Sequence, residues 1–461
     1  VRILVQLAPP GLPRLQAMQV NAPVLAMALA ATTLVGMVFG MAPALSAARG
    51  DLHEGMRGAS RRTVGVSRTA RSALVIAEMA LAVLVLAGSG LLLQSMRRLL
   101  DVRPGFNPRG VLSLQVQVVG QRFANDTVTW RHFDQVLAAV RAVPGVAEAA
   151  LTSQLPLSGD FDAYGIHSER HPRANPQEDP SAHRYAISPG FLETMRIPVV
   201  RGRSIDSRDN SSAPMVALVN ASFAKKFFPG EDVVGQRIRV GAADSGPWRT
   251  IVGVTGDLHQ VSLVGDASDA VYVPEGQWAN ADGAMSLVMR TTGDAAALAE
   301  PIRRAVWSVD KNQPIVRVAM MEAVVASSAA ERRFVLSLFE VFGMLAVALA
   351  ALGLYGVLAA SVTERVREIG VREALGATPR AIVSMIVRQG MALAAGGAAI
   401  GLALSIAASR ALVDQLFATS RMDPVTYGAV LASLGLVALG ACAIPAARAA
   451  MVDPMESLRA E

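Results

Sequence analysis

The sequence has a single cysteine, Cys442, among its 461 residues. One thiol cannot close an internal disulfide, and because Cys442 lies inside an apolar run it reads as a small buried hydrophobe. Aromatic residues make up 5% and charged residues 17% of the chain, fewer charges than the roughly 25% of an ordinary soluble domain. The pattern G-x-x-x-x-G-K-[ST] is missing, so the chain cannot cradle ATP phosphates by that device. H-E-x-x-H, C-x-x-C and G-x-S-x-G are missing too, which removes the commonest metal-hydrolase, metal-clip and nucleophile-elbow chemistries. His167, His171 and His183 lie in or near a loop-rich stretch without metal-ligand spacing. Asp160, Asp162, Glu178 and Asp179 read as a solvated loop face rather than as paired catalytic carboxylates. No catalytic residue, metal or cofactor is expected.

What the chain does have is apolar sequence, 52% by residue, gathered into long uncharged runs. A helix needs about 20 charge-free residues to cross a bilayer, because backbone and charged groups cannot be hydrated there. Four runs qualify outright: Val24 to Ala48, Val341 to Thr363, Gln389 to Ser409 and Val425 to Ala447. A fifth, Ser72 to Met96, is broken only by Glu78. Thr378 before Pro379, and Asp423 before Pro424, each put a capping oxygen ahead of a proline at the first helical position. Gly36 with Gly40, and Gly397 with Gly401, have the small-xxx-small spacing of close helix contacts.

The formal charge is +6, nearly all of it arginine, and the arginines crowd at the ends of the apolar runs. They lack the single basic stripe with interleaved aromatics that nucleic acid requires, so they read as topology signals for a lipid bilayer. Arg49, Arg57, Arg61, Arg62, Arg68 and Arg71 between the first two spans, and Arg365, Arg367, Arg372 and Arg380 after the third, should face the cytoplasm. Arg97, Arg98 and Arg103 then fall on the outer side, against the rule. Glu78 is an intramembrane charge about two turns beyond Arg71; a carboxylate snorkelling to the interface or pairing with a nearby arginine is the simpler reading.

Pro43, Asp51 and Arg57 recur at the same spacing as Pro445, Asp453 and Arg459, which suggests a duplicated unit. The chain starts at Val1 rather than methionine and is expected to be a fragment or a processed product. Residues 1–57 would be the remnant of a first unit with one span (24–48), 58–71 a basic cytoplasmic linker and 72–96 a span. Residues 97–333 would form an extracytoplasmic domain, and 334–461 a permease domain with three spans (334–363, 385–409, 425–447). In the outer stretch, strand-like runs (Val111–Val119, Met215–Val219, Arg249–Thr255, Ser286–Thr291) alternate with helical ones (Thr127–Val143, Asn220–Phe228, Asp294–Val309). Loops are expected at Pro172–Pro180 and Ser204–Pro214. The fold class is thus an α-helical polytopic membrane protein with a large extracytoplasmic mixed α/β domain.

Several segments are distinctive: Ile187-Ser-Pro-Gly-Phe-Leu-Glu-Thr-Met-Arg-Ile-Pro, Arg201-Gly-Arg203, Val219-Asn-Ala-Ser-Phe-Ala-Lys-Lys-Phe-Phe-Pro-Gly-Glu231, Gly235-Gln-Arg-Ile238 and Ile251-Val-Gly-Val-Thr-Gly-Asp257. They resemble the periplasmic core domain of MacB-like ABC transporter permeases. Glu364-Arg-Val-Arg-Glu-Ile-Gly-Val-Arg-Glu-Ala-Leu-Gly-Ala-Thr378 resembles the cytoplasmic signature of FtsX-like permeases, and Arg71-Ser-Ala-Leu-Val-Ile-Ala-Glu78 is similar to the duplicated ADOP type, which would be N-terminally truncated here.

The resemblance implies a multi-pass bacterial inner-membrane permease for export or mechanotransmission. Its ATPase would be a separate cytoplasmic subunit, and its further partners a second FtsX-like unit, in the same full-length chain or by dimerisation, and a periplasmic accessory protein. The alternative is a non-transporting regulator that activates a cell-wall hydrolase or a sensor. ATPase coupling would fall to Arg365, Glu368, Ile369, Arg372, Glu373, Leu375, Gly376 and Ala377. Val366, Ile369, Gly370, Ala374 and Ala377 share one helical face there, suited to lying on the membrane and docking into a partner's groove, and Glu368 precedes Arg372 in the favourable i,i+4 order.

Overall fold

The computed structural model describes residues 22–30, 32, 33, 37, 60–172, 179–241, 246–375, 377–411, 416 and 419–449. In chain order the principal elements begin with α1 (Ser60–Leu100), β1 (Val111–Gln117), α2 (Asp126–Arg141), β2 (Val146–Thr152), β3 (Ala163–Ser168), β4 (Ser181–Ile187), α3 (Phe191–Met195), β5 (Val199–Gly202), β6 (Val216–Asn220) and α4 (Ala221–Phe227). They continue with β7 (Arg237–Val240), β8 (Arg249–Thr255), β9 (Ala270–Pro274), β10 (Ala284–Thr291), α5 (Ala299–Val309), β11 (Ile315–Met320), α6 (Met321–Ser328), α7 (Ala330–Glu364), α8 (Val366–Ala374), α9 (Pro379–Ala408) and α10 (Pro424–Ala449). Two compact units result: Val1–Asp101 with Glu331–Glu461, and Val102–Ala330.

Among the described residues of the first unit, four helices are long and apolar enough to cross a membrane: Arg71–Leu99, Arg332–Glu364, Pro379–Ala411 and Pro424–Ala449. The fifth expected span, Val24 to Ala48, lies mostly outside the described residues, as do Gly36, Gly40, Pro43, Asp51, Arg57, Asp453 and Arg459 of the glycine pair and the repeat. Helix starts follow the expected chemistry. Thr378 Oγ1 accepts from the Ala381 amide at 3.4 Å and Asp423 Oδ2 from the Thr426 amide at 2.8 Å, each ahead of a proline whose missing N–H costs nothing there.

The bundle is drawn together by glycine. A Cβ at Gly397 would stand 2.7 Å from the Ile76 carbonyl oxygen, and one at Gly401 would stand 2.6 Å from the Ala80 carbonyl oxygen and 2.7 Å from Val83 Cβ. Only glycine permits this approach of α9 to α1, so the 397/401 pair serves the small-residue packing its spacing suggests. Val75, Met79, Leu354, Ile382, Leu434 and Cys442 belong to the apolar core that fills the bundle.

The second unit holds one 11-stranded sheet with two distinct parts. Strands β11-β1-β10-β2 are antiparallel neighbours, and α2 follows β1 while α5 follows β10. This is a split β-α-β arrangement of the ferredoxin-like kind. Alternate residues Leu112, Leu114 and Val116 of β1 and Met285, Leu287 and Met289 of β10 meet Phe133, Val136 and Val140 of α2 and Ile302 and Val306 of α5 in one core, as a period-2 strand over a helix requires. Between β2 and β10 the chain inserts a second part. There β4-β3-β7-β8-β6-β9 pair in series, and β9 returns to pair parallel with β4, closing a ring that leaves these strands no free edge. Ala217, Val219, Ile238, Ile251, Val271 and Phe223 contribute to its core.

Two of the distinctive segments meet in this insert. Asn220 caps α4 by accepting from Phe223 N, and its Nδ2 donates to Asp257 Oδ1 at 2.8 Å; that same oxygen accepts from Ser222 N at 2.7 Å. Gly202 has φ +72°, and a Cβ there would strike the β8 backbone at Val252 and Gly253, which is why glycine separates Arg201 from Arg203.

The acidic residues read as a solvated loop face need correction. Asp162 and Asp282 both bond Arg184, only 2% exposed, whose guanidinium also lies 4.5 Å from the Trp278 ring centroid. Asp160 pairs with Arg317 and Asp179 with His167; Glu178 is outside the described residues. The carboxylates anchor structure because their cations arrive from distant strands. The histidines go separate ways: His167 bonds Asp179 and the Gly241 carbonyl, His171 bonds Glu231, and His183 packs edge-on against Phe161.

Candidate functional site

The segment between α7 and α9 is fixed at both ends before its own side chains matter. At one end Arg71 Nη1 of α1 bonds Glu364 Oε1, the last residue of α7, at 3.1 Å. At the other, Thr378 starts α9. Between them, α8 turns Ile369, 4% exposed, and buried Gly370 into the bundle core. Two residues of the apolar stripe that suggested a docking face, Ile369 and Gly370, are therefore used by the protein's own bundle. Ile369 seats the helix and is not available to touch a partner.

The outward side carries other chemistry. Glu368 Oε1 accepts from Arg372 Nη2 at 2.7 Å, and its Oε2 lies 3.9 Å from Arg365 Nε. Arg372 Nη1 also reaches Met385 Sδ at 2.8 Å. These groups are half exposed, and such pairs contribute about 0–1 kcal/mol, so they set the shape of the face more than its stability. Val371 is 43% exposed and Leu375, at the turn, 82%. The Leu375 amide donates to the Val371 carbonyl at 3.0 Å and the Ala377 amide to the Arg372 carbonyl at 2.9 Å, so the turn that projects Leu375 is tied back to α8. Glu373 lies in α8 with its side chain outside the described set, and Gly376 is outside the described residues.

Residues 340–454 match the model of the FtsX-like permease C-terminal domain, and residues 72–305 match the MacB-like periplasmic core domain. The chain belongs to the MacB-like family of ABC transporter permeases. This permease is 24% identical over 294 residues to the uncharacterized ABC transporter permease YknZ of Bacillus subtilis, an alignment covering 62% of this chain and 72% of that one. It is 24% identical over 306 residues to the macrolide export ATP-binding/permease protein MacB of Marinobacter nauticus, covering 61% of this chain and 44% of that protein. The permease thus spans less than half the length of that MacB relative. Among solved structures, the periplasmic region of MacB from Actinobacillus actinomycetemcomitans aligns over 49% of this chain and 95% of its own length, at 10% identity and a TM-score of 0.34. The family match over residues 72–305 takes in most of the second unit, Val102–Ala330, which is the MacB-like periplasmic domain of the permease.

Two acids lie within the spans of the membrane unit. Of the two readings of Glu78, snorkelling or pairing with a nearby arginine, the second is not seen among the described residues: Arg71 is bonded to Glu364, and Glu78 Oε2 is buried without a hydrogen bond. A second acid, Glu340, also lies within a span, where it lines a cleft with Leu86, Ser89, Met344, Val347 and Ala348. The uncharged run begins one residue later, at Val341, but the expected span 334–363 already contains Glu340.

The outer-side arginines gain a partial explanation. With its amide oriented to satisfy its neighbours, Gln94 donates to Asp423 Oδ2 at 3.1 Å and to Thr426 Oγ1 at 3.3 Å, and accepts from Arg98 Nη2 at 3.2 Å. Arg98 thereby helps tie the end of α1 to the cap of α10.

Proposed function

We propose that this permease couples ATP hydrolysis on a separate cytoplasmic ABC ATPase subunit to movement of its periplasmic core domain, as an export or mechanotransmission device of the bacterial inner membrane. A second FtsX-like unit, in the same full-length chain or by dimerisation, completes the assembly, and a periplasmic accessory protein is a further partner. The observation that supports the reading is the projection of Leu375. An 82% exposed leucine at the tip of a polar turn, beside Val371 and rimmed by the Glu368–Arg372 pair, is an apolar knob with a charged border. That is the form of an interface anchor that fills a pocket while its rim excludes water.

The ATPase acts on this knob, and α8, which follows α7 directly after Glu364, passes the displacement to α7 and, through the Glu364–Arg71 bond, to α1. Those two helices precede and follow the periplasmic domain in the chain. Affinity co-purification from membranes expressing the full-length protein tests the proposal. An ATPase carrying a Walker motif should co-purify with the native protein and be lost with Leu375→Asp, Arg372→Glu or Gly376→Pro, each still inserted in the membrane. An anchor in a pocket is worth about 2 kcal/mol, or roughly 30-fold in affinity. Undiminished association in all three variants removes the coupling role from this turn. A hydrolase or kinase in the same complex would favour the non-transporting alternative.

A further inference from the structure

The seam between α1 and α7 contains a carboxyl group that the coupling reading does not use. Glu78 faces Gly353 across this seam. A Cβ built at Gly353 would collide with Glu78 Oε2 and stand 3.1 Å from its Cδ. The acid therefore rests on bare helix backbone, in a space that exists only because position 353 has no side chain. Oε2 is sealed from solvent without a hydrogen-bond partner. Val75, Met79, Ala82, Ala350 and Leu354, from the same stretches of the two helices, are buried apolar residues.

No counter-ion is supplied among the described residues. Arg71, on the same helix, is bonded to Glu364, and Arg448 of α10 donates to the Tyr355 hydroxyl of α7 at 2.9 Å. Residues 341–363 of α7, 389–409 of α9 and 425–447 of α10 contain no charged side chain, and their only other titratable groups are Tyr355, Tyr427 and Cys442. An ionised carboxylate in such surroundings is costly, whereas a neutral acid is far less so. A metal ion would need several converging oxygens, and no cluster of metal-ligating side chains is found among the described residues. The proton is the ligand that fits.

We propose that Glu78 is an intramembrane proton-binding site: it holds its proton while α1 and α7 are packed at Gly353 and releases it when the helices part. By linkage, deprotonation must then weaken the α1–α7 contact as much as separation favours ionisation. The two helices flank the periplasmic domain in sequence, so the proton biases the same pair that would relay ATP-driven motion. The inference concerns a site away from α8 and stands whether or not an ATPase docks there.

Two measurements on the full-length protein in native membranes test it. At about pH 7, dicyclohexylcarbodiimide, which attacks protonated carboxyls in apolar surroundings, should give an adduct at Glu78 detectable by peptide mass spectrometry. A water-soluble carbodiimide should give none. Absence of the first adduct, or equal labelling by both reagents, overturns the assignment. For linkage, a Leu86→Cys/Gly343→Cys pair reports the seam, because a Cβ at 343 would lie 3.0 Å from Leu86 Cδ2. Crosslinking by a thiol-specific bis-methanethiosulfonate should fall about two-fold or more from about pH 6 to about pH 9 with Glu78 present, and stay level in the same pair carrying Glu78→Gln. The same pH profile with and without Glu78 refutes the linkage.

Discussion

Gly401 offers a sharp test of how the membrane bundle is held. A methyl group there would stand 2.6 Å from the Ala80 carbonyl oxygen, 2.7 Å from Val83 Cβ and 2.9 Å from Ala80 Cα. Ordinary contacts between such atoms lie at about 3.5–4.0 Å, so α9 and α1 must part locally by about 1 Å. The obstructing atoms belong to helix backbone and to a β-branched Cβ, neither of which can rotate away. Overpacking of this kind costs about 1–3 kcal/mol per site. Gly401→Ala should destabilise the bundle by that amount. Gly397→Ala should do the same, since its Cβ would stand 2.7 Å from the Ile76 carbonyl oxygen. Gly396 and Gly356 are internal controls: a Cβ at either meets nothing within 4 Å, and alanine there should be neutral or slightly stabilising, given its helix propensity. Reversible unfolding of the purified protein in mixed micelles with increasing denaturing detergent reads the difference. Equal effects at 401 and 396 would refute the close-approach account of this interface.

Further outcomes follow from buried polar groups. Glu275 is half-buried as a residue, but its Oε2 is sealed and unpartnered, and burial, with the nearby Asp134 carboxylate, pushes its pKa up to about 8. Its contribution to stability is complete below about pH 4.5, its ordinary value, and is lost as pH rises toward 8; Glu275→Gln should flatten that part of the thermal-stability profile by on the order of a few kcal/mol. Removing Asp282 leaves the Arg184 guanidinium, 2% exposed, without half of its compensation, so Asp282→Ala should cost about 3–5 kcal/mol in chemical unfolding, more than Arg184→Met, which strands only partly hydrated carboxylates. Asp423→Ala removes the α10 cap and the Gln94 contact and should lower bundle stability by about 0.5–2 kcal/mol, with Asp423→Asn recovering most of it.

The legible parts of this protein are those governed by local chemistry. Charge-free length located three of the four described spans and the run broken only by Glu78 the fourth, a capping oxygen before proline placed the starts of α9 and α10, and strand-like runs placed β1, β6, β8 and β10 close to their observed limits. The segment from Glu364 to Thr378 was legible as a unit, but its outward face was not. Helical periodicity shows that Ile369 and Gly370 share a side; it does not say whether that side meets lipid, a partner or the protein's own bundle.

The remainder depends on contacts between distant positions. Parallel closure of β9 on β4 has no local signature, because it rests on pairing such as Tyr185 opposite Tyr272. Asp162 reads as a loop acid until Arg184 and Asp282 are brought beside it. Glu78 looks like an ion in need of an arginine until the chain sets Gly353 against it and commits Arg71 to Glu364. Arg98 reads as a stray outer-side charge until Gln94 joins it to Asp423, the cap of α10.

The central claim is that the Leu375 turn faces the cytoplasm while the MacB-like domain lies across the membrane. Cysteine accessibility tests it most directly, using Leu375→Cys and Val261→Cys, both at exposed positions (82% and 58%), in separate full-length chains carrying Cys442→Ala. In cells with a permeabilised outer membrane and an intact inner membrane, an impermeant maleimide should label position 261 at once and position 375 only after the inner membrane is disrupted. Labelling of both positions before disruption would place the turn and the domain in one compartment and contradict the transfer of motion from an ATPase.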